Sequence, residues 1–228
     1  MLATQHVATA DASVRLWLCH LDQGASAPPT IESWLAPLEL ERASRFGTAL
    51  LRRRWIVGRA ALRQVLGDTL GVPPAAVRMR RGRRGRPELD MPPHHLDFNV
   101  SHTDDVALIA LGLGLDRDER VGVDIEYRHR KVNADMLARK FLTARERAAH
   151  AHLDSDGRRV AFLRLWTCKE AMSKATGDAL SAPFADIDIT AAPRLLAGPA
   201  PYLPDRWRLL VPIVPTDLLA AVAAWKMP

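Results

Sequence analysis

The chain has 228 residues, of which 48% are hydrophobic and 25% charged, and its formal net charge is +6. This composition is that of a globular protein and excludes a disordered, collagen-like or fibrous chain. The apolar run at 106–115 is too short to span a bilayer, the first eleven residues do not resemble a signal peptide, and two cysteines allow no disulfide framework, so we expect a soluble cytoplasmic protein.

The positive charge is concentrated in one segment. Residues 42–86 contain thirteen arginines and one acid, so they carry +12, while the rest of the chain has 19 basic and 25 acidic residues and carries −6. A segment of this kind can be a solvated face, a nucleic-acid patch or a cradle for a small polyanion.

Apolar periodicity predicts helices and strands in both halves of the chain, and therefore an α+β protein. In the first half the predicted elements are a strand at 13–21, short helical pieces at 31–46, a helix at 50–70 ending at Gly71, a basic loop at 72–86 with a short strand at 76–79, a loop at 88–96, and strands at 96–102 and 106–113. In the second half they are a strand at 121–127, helices at 133–141, 144–152 and 157–176, and strands at 207–214 and 218–225.

Two carboxylates, Asp124 and Glu126, alternate with Val123 and Ile125 in the strand at 121–127. Alternation places both carboxylates on one face, opposite a face that is anchored in a core. The pattern by itself favours the polar outer face of a half-buried strand, and two nearby carboxylates also fit a pair of ligands for Mg²⁺.

Two further groups of polar residues stand out. In the helix at 157–176, Glu170 and Lys174 are four residues apart, a spacing that predicts either a surface ion pair or functional groups. Ser101 and His102 end the strand at 96–102, where they indicate either a turn or donors to phosphate oxygens.

The order and the residues of these segments resemble the motifs of the 4'-phosphopantetheinyl transferases, in particular their longer, surfactin-synthetase-activating (Sfp-like) type. The resemblance spans residues 40–190 and rests on Phe-Asn-Val-Ser-His at 98–102, Val-Gly-Val-Asp-Ile-Glu at 121–126, Phe141 with Glu146, and Trp-Thr-Cys-Lys-Glu at 166–170 with Lys174 and Gly177. Gly-Arg-Pro at 85–87 and the helix around 58–63 are similar to the same family pattern.

The resemblance implies an activity and a metal. Members of this family transfer the phosphopantetheine arm of coenzyme A to a serine of an apo acyl or peptidyl carrier protein. The reaction requires Mg²⁺ and releases adenosine 3',5'-bisphosphate. By the motif, Asp124, Glu126 and Glu170 would be the metal ligands.

The resemblance also implies contacts to coenzyme A. Lys174 and His102 would contact the pyrophosphate, and the remaining contacts to the nucleotide and its phosphates would come from Arg42, Arg54, Gly85, Arg86, Asn99 and Ser101. Glu170, Glu146 or a metal-bound water would accept the proton of the carrier serine.

The fold implied by the resemblance is a pseudo-dimer of two similar α+β halves with the active site in the cleft between them. Residues 1–115 would form the N-terminal half and residues 116–228 the C-terminal half, joined near 115–120, in a monomeric protein that binds neither nucleic acid nor a membrane.

Two alternative functions remain open from the residues. The first is a nucleic-acid-binding protein that uses the arginines at 78–86, although no aromatic residue lies between them to stack on bases. The second is a Mg²⁺-dependent phosphodiesterase or nuclease that uses the same carboxylates without a carrier protein.

Overall fold

The structure, a computed structural model, describes residues 1–22, 30–90, 96–113 and 118–228. Its strands are β1 (Thr4–Val7), β2 (Val14–His20), β3 (Met79–Arg81), β4 (Pro87–Leu89), β5 (Leu96–Thr103), β6 (Val106–Leu113), β7 (Glu119–Tyr127), β8 (Asp188–Ile189), β9 (Leu195–Ala197), β10 (Trp207–Leu210) and β11 (Leu218–Lys226). Its α-helices are α1 (Pro37–Ser44), α2 (Ala49–Leu70), α3 (Ala134–Phe141), α4 (Ala144–Ala151) and α5 (Ser155–Thr176).

The two halves repeat one arrangement of elements. In the first half β2, α2, β5 and β6 occur in this order along the chain, with shorter elements between them. Strand β6 lies between β2 and β5 in an antiparallel sheet whose order is β1-β2-β6-β5. In the second half β7, α5, β10 and β11 occur in the same order, again with shorter elements between them. Strand β11 lies between β7 and β10 in the sheet order β10-β11-β7. The expected pseudo-dimer of two similar α+β halves is confirmed.

The long helices α2 and α5 correspond to each other in the repeat, and each has 22 residues. Thr48 and Asp154 accept hydrogen bonds from the first-turn amides as N-caps. Both helices end at a glycine in the left-handed conformation, Gly71 at φ 69° and Gly177 at φ 80°, a conformation that a side chain disfavours.

The two sheets pack face to face between the two long helices. Alternate residues of β2 and β6 meet alternate residues of β7 and β11 in one apolar layer, which contains Leu16, Leu18, Leu108, Val121, Val123, Ile125 and Val222. The opposite face of each sheet packs on its own helix, with Ile109 and Leu111 against α2 and Ala221 and Ala223 against α5. The layers are therefore helix, sheet, sheet, helix.

Strand β7 is buried on both faces, including Asp124 and Glu126. The interpretation of this strand as having a polar face open to solvent is therefore wrong. Gly122 is the local cause, because a Cβ atom there would lie 1.9 Å from the carbonyl oxygen of Ala171 and its absence lets α5 approach the strand.

Most element bounds agree with the sequence predictions, and the differences lie in short hairpins and edges. The strand predicted at 76–79 lies instead at β3, and β4 overlaps the start of the loop predicted at 88–96, because backbone pairing sets hairpin register. Strand β10 stops before Pro212, whose missing N–H ends the ladder.

Strands β1, β8 and β9 were not predicted. The predicted junction near 115–120 lies partly outside the described residues, and the division at 115/116 lies wholly outside them. Within the described ranges, no helix combines the length and the apolar character that a membrane crossing needs.

Candidate functional site

The candidate site lies where β5 of the first half runs alongside β7 of the second. Every second residue of β5 turns a polar side chain toward β7. The resulting hydrogen bonds are Val121 N to Asp97 Oδ2 (2.8 Å), Val123 N to Asn99 Oδ1 (3.1 Å), Ser101 Oγ to Asp124 Oδ1 (2.7 Å) and Thr103 Oγ1 to Glu126 Oε2 (3.0 Å).

Lys174 completes this junction from α5. Its Nζ donates to Asp124 Oδ1 at 2.6 Å and to Ser101 Oγ at 2.8 Å. The predicted ion pair with Glu170 is not formed, because the nearer carboxylate belongs to a strand fifty residues away in sequence. The sequence-predicted residues Ser101, Asp124 and Lys174 are thus brought together in one hydrogen-bonded cluster.

Two carboxylate oxygens at the site have no hydrogen-bond donor. Asp124 Oδ2 and Glu170 Oε1 are both buried and unpartnered within the described structure. Burial first and the charge of Asp124 second raise the pKa of Glu170, against an opposing effect of Lys174. Buried oxygens without a partner are costly, and their presence indicates a site where a cation or a proton is bound.

The carboxylates satisfy part of what Mg²⁺ requires. Among the described residues no group of three or more His, Cys, Asp or Glu side chains is arranged to hold a metal ion. However, protein-bound Mg²⁺ commonly uses one or two carboxylates together with waters and substrate phosphates. The free oxygens of Asp124 and Glu170 fit that smaller set.

Glu126, the third ligand implied by the resemblance, already has partners. Its carboxylate accepts hydrogen bonds from Thr103 and Arg130. The Arg130 side chain is 48% exposed, whereas that of Glu126 is 10% exposed. Ligation by Glu126 would require Arg130 to move aside.

His102 and Arg42 share the electrostatic environment of this cluster. The His102 residue is exposed overall, but desolvation of its ring lowers its pKa. The positive charges of Lys174 and Arg42 lower this pKa further, whereas the negative charge of Asp124 raises it. The Arg42 guanidinium lies 4.5 Å from the centre of the Trp55 ring, a cation–π contact, and forms no ion pair with any described residue. Arg42, His102 and Lys174 thus combine positive charge and donors at one place.

Arg54 occupies a different environment from the one that the resemblance implies. Its guanidinium donates to both carboxylate oxygens of Asp22 at 2.9 and 2.7 Å and pairs with Asp104 at 3.3 Å. These carboxylates occupy the donors that a phosphate would need. The expected phosphate contact of Arg54 is therefore not supported by its geometry.

Arg86 is likewise engaged within the protein. Its side chain is 4% exposed, forms a bidentate pair with Asp97 and donates to three backbone carbonyls. The neighbouring Gly85 is exposed, with φ at 80°, and provides the turn that directs Arg86 inward. This arrangement differs from the phosphate contact that the resemblance implies for Arg86.

Much of the charge in the basic segment is neutralised by the rest of the chain. Among the arginines at 42–86 whose side chains the structure describes, eight form ion pairs, namely Arg45, Arg52, Arg54, Arg59, Arg63, Arg80, Arg84 and Arg86. A segment with +12 in sequence thus presents a much smaller free charge once folded.

Glu146, one of the three proton acceptors that the resemblance leaves open, is held in contacts that favour a structural role. Its Oε2 accepts from Lys169 Nζ at 2.7 Å and from Thr143 N at 2.8 Å, and its Oε1 accepts from Ile189 N at 2.9 Å. Its side chain is 1% exposed and that of Lys169 is 0% exposed. Lys169 was not among the predicted site residues. The sequence feature that could have indicated this pair is the scarcity of lysine, since the chain has only five lysines.

Comparison with known proteins identifies two family matches. A family described as the 4'-phosphopantetheinyl transferase superfamily matches residues 120–201, and one described as 4'-phosphopantetheinyl transferase, N-terminal, matches residues 29–112. The first match contains Asp124, Glu170 and Lys174, and the second contains Arg42 and His102.

Individual relatives are similar along most of the chain. The 4'-phosphopantetheinyl transferase HetI of Nostoc sp. is 36% identical, over 92% of this chain and 86% of its own. A putative 4'-phosphopantetheinyl transferase of Synechocystis sp. is 30% identical, over 86% of this chain and 78% of its own. A solved holo-(acyl-carrier-protein) synthase from Bacillus anthracis is 21% identical over 48% of this chain and 96% of its own, with a TM-score of 0.37.

Proposed function

Since this chain belongs to the 4'-phosphopantetheinyl transferase superfamily, we propose that it transfers the phosphopantetheine arm of coenzyme A to a serine of an apo carrier protein, with Mg²⁺, releasing adenosine 3',5'-bisphosphate. The observation that carries the proposal is the cluster of Ser101, Asp124 and Lys174 beside two unpartnered carboxylate oxygens. A transferase that handles a pyrophosphate needs both a cation site and fixed donors at one place.

The binding of coenzyme A would use the positive side chains that the fold leaves available. Lys174 and His102 would donate to the pyrophosphate, and Arg42 would bind the 3'-phosphate, for which its planar guanidinium is well suited. Asn99 and Ser101 are both buried and would act mainly by holding β7 and the Lys174 ammonium in place. Positioning and charge stabilisation of this kind supply most of the catalysis in phosphoryl transfer.

Asp124 and Glu170 would hold the metal through their free oxygens, with Glu126 joining once Arg130 moves aside. When bound, Mg²⁺ supplies charge neutralisation at the pyrophosphate oxygens.

The proton transfer follows from the environment of Glu170. The serine oxygen of the carrier forms a bond to the β-phosphorus, and the bond from that phosphorus to the bridging oxygen breaks as adenosine 3',5'-bisphosphate leaves. The serine proton passes to the Glu170 carboxylate, since burial and the charge of Asp124 favour the protonated form of this group and raise its pKa. No protein nucleophile is required.

The finer assignments belong to the same proposal. We assign the chain to the longer, surfactin-synthetase-activating type, acting as a cytoplasmic monomer, with its halves divided at residues 115 and 116. A carrier protein is usually acidic, and exposed arginines near the site favour its approach.

The decisive experiment incubates the protein with coenzyme A, Mg²⁺ and an apo acyl or peptidyl carrier protein, and measures the carrier by mass spectrometry. We expect a mass increase equal to one phosphopantetheine arm, lost on addition of EDTA. Lys174→Met should slow the transfer about 100-fold or more, since removing one preorganised donor has an effect of that size. The matched control Lys131→Met changes an exposed lysine and should transfer at the wild-type rate.

Two arms of the experiment test the alternatives. Release of adenosine 3',5'-bisphosphate without any carrier would identify a phosphodiesterase. Steeply salt-dependent binding to DNA or RNA, with no change in carrier mass for any carrier type, would identify a nucleic-acid-binding protein and refute the proposal.

A further inference from the structure

Arg86 connects three elements that carry side chains of the candidate site. Its guanidinium pairs with Asp97 at 2.9 and 2.6 Å. It also donates to the carbonyl oxygens of Phe98 on β5 (3.1 Å), Val121 on β7 (2.8 Å) and Lys174 on α5 (3.2 Å). One buried side chain thus has acceptors in both halves of the protein.

Asp97 closes the connection between the halves. While Arg86 donates to the carbonyl of Val121, Asp97 accepts from the amide of the same residue at 2.8 Å. The pair therefore holds both polar groups of one β7 residue, three positions before Asp124. The bond from Arg86 to the Lys174 carbonyl fixes the last turn of α5, where unpaired carbonyls favour a cation.

We propose that Arg86 and Asp97 form a positioning pair, which sets the distance between Lys174 and Asp124, and that Arg86 makes no contact with the phosphates of coenzyme A. This inference rests on the proposed function, since it assigns how that site is held in place. A guanidinium suits the task because its rigid fork serves several acceptors at once, whereas a lysine ammonium is a point charge with three donors.

The two roles for Arg86 predict opposite results for Arg86→Lys. If Arg86 contacted a phosphate, lysine would replace it, because lysine also binds phosphates. If Arg86 is a positioning residue, lysine cannot reproduce the fork, and Asp97→Asn should cause the same defect from the other side. Arg80→Lys is the matched control, because the Arg80 side chain lies in the same basic segment and is 62% exposed.

The kinetic test compares these variants after thermal unfolding has shown that each is folded. We expect Arg86→Lys and Asp97→Asn each to lower kcat about tenfold or more, since small misplacements of reacting groups have effects of this size. The double variant should be no slower than the slower single variant, because both changes remove one interaction. The KM for coenzyme A should keep its wild-type dependence on salt. Wild-type kcat in Arg86→Lys, or a weaker salt dependence of KM, would overturn the proposal in favour of a phosphate contact.

A second measurement needs no activity. Amide hydrogen exchange in the protein without coenzyme A should be faster at β7 and at the end of α5 in both variants, and unchanged in Arg80→Lys. Unchanged exchange in Arg86→Lys and Asp97→Asn would overturn the proposal. If the wild-type protein does not transfer phosphopantetheine, the proposed function fails while this measurement still decides whether the pair positions the two elements.

Discussion

The buried pair of Lys169 and Glu146 offers a quantitative test of how the second half is held together. Lys169→Met removes an ammonium that is 0% exposed and that donates to Glu146 and to the carbonyls of Phe141 and Phe184 at 2.7 to 2.9 Å. The substitution leaves one buried carboxylate without its counter-charge and two carbonyls without this donor. We expect the free energy of unfolding to fall by about 3–5 kcal/mol, the usual effect of breaking a buried ion pair.

A loss of this size is a large part of the stability of an ordinary domain, which is about 5–15 kcal/mol. Urea unfolding followed by tryptophan fluorescence measures it directly. Lys131→Met, at an exposed lysine, is the control and should change stability by less than about 0.5 kcal/mol. Adding Glu146→Gln to Lys169→Met should recover at least about 1 kcal/mol, because the unpaired buried charge is then removed.

The same variants test the role of Glu146 in the reaction. Glu146→Gln alone should reduce stability and leave kcat of the folded protein near the wild-type value. Loss of a general base would instead lower kcat about 100-fold or more. A destabilisation below about 1 kcal/mol in Lys169→Met would refute the stability argument, since that is the size of an exposed pair.

Three further predictions concern other parts of the chain. Burial raises the pKa of Glu39, but two neighbouring arginines and a backbone amide outweigh burial and lower the pKa overall. Glu39 therefore stabilises the fold at pH values above its unfolded pKa, and this contribution is lost as the pH falls through the folded pKa. Urea unfolding between pH 3 and pH 7 (roughly the range around a carboxyl pKa) should show a steeper loss of stability on acidification in the wild type than in Glu39→Gln. Gly122→Ala should prevent folding or lower stability by several kcal/mol, because its Cβ would meet the α5 backbone at 1.9 Å, whereas Gly47→Ala, with no atom within 4 Å, should unfold like the wild type. Arg42→Met should raise the KM for coenzyme A about tenfold, as expected for the loss of one charged hydrogen bond, while equal KM values for Arg42→Met and Arg54→Met would contradict the different roles assigned to these arginines.

Local patterns were sufficient for the features that depend on near neighbours in the chain. The 3.6-residue periodicity predicted α2 and α5 to within two residues at each end, and Gly71 predicted the end of α2. The motif sequences around Asp124 and Glu170 also indicated the correct family, because each motif is a run of residues on a single strand or helix.

The partners of the charged side chains depended on the tertiary structure. Lys174 pairs with Asp124 and not with Glu170, although Glu170 is only four residues away in sequence. Arg86 is buried with Asp97 at the junction of two halves, although its motif resembles a phosphate contact. A charge pairs with the carboxylate that packing brings within a few ångströms, and that carboxylate can be on any element.

The basic segment shows the same division. The sequence by itself determined that residues 42–86 carry +12 and that acids dominate elsewhere. Only the folded chain decided that, among the described side chains, eight of those arginines pair with acids while Arg42 forms no ion pair and lies near His102. The physical reason is that electrostatic attraction depends on distance and burial, which sequence order does not specify across the interface of two halves.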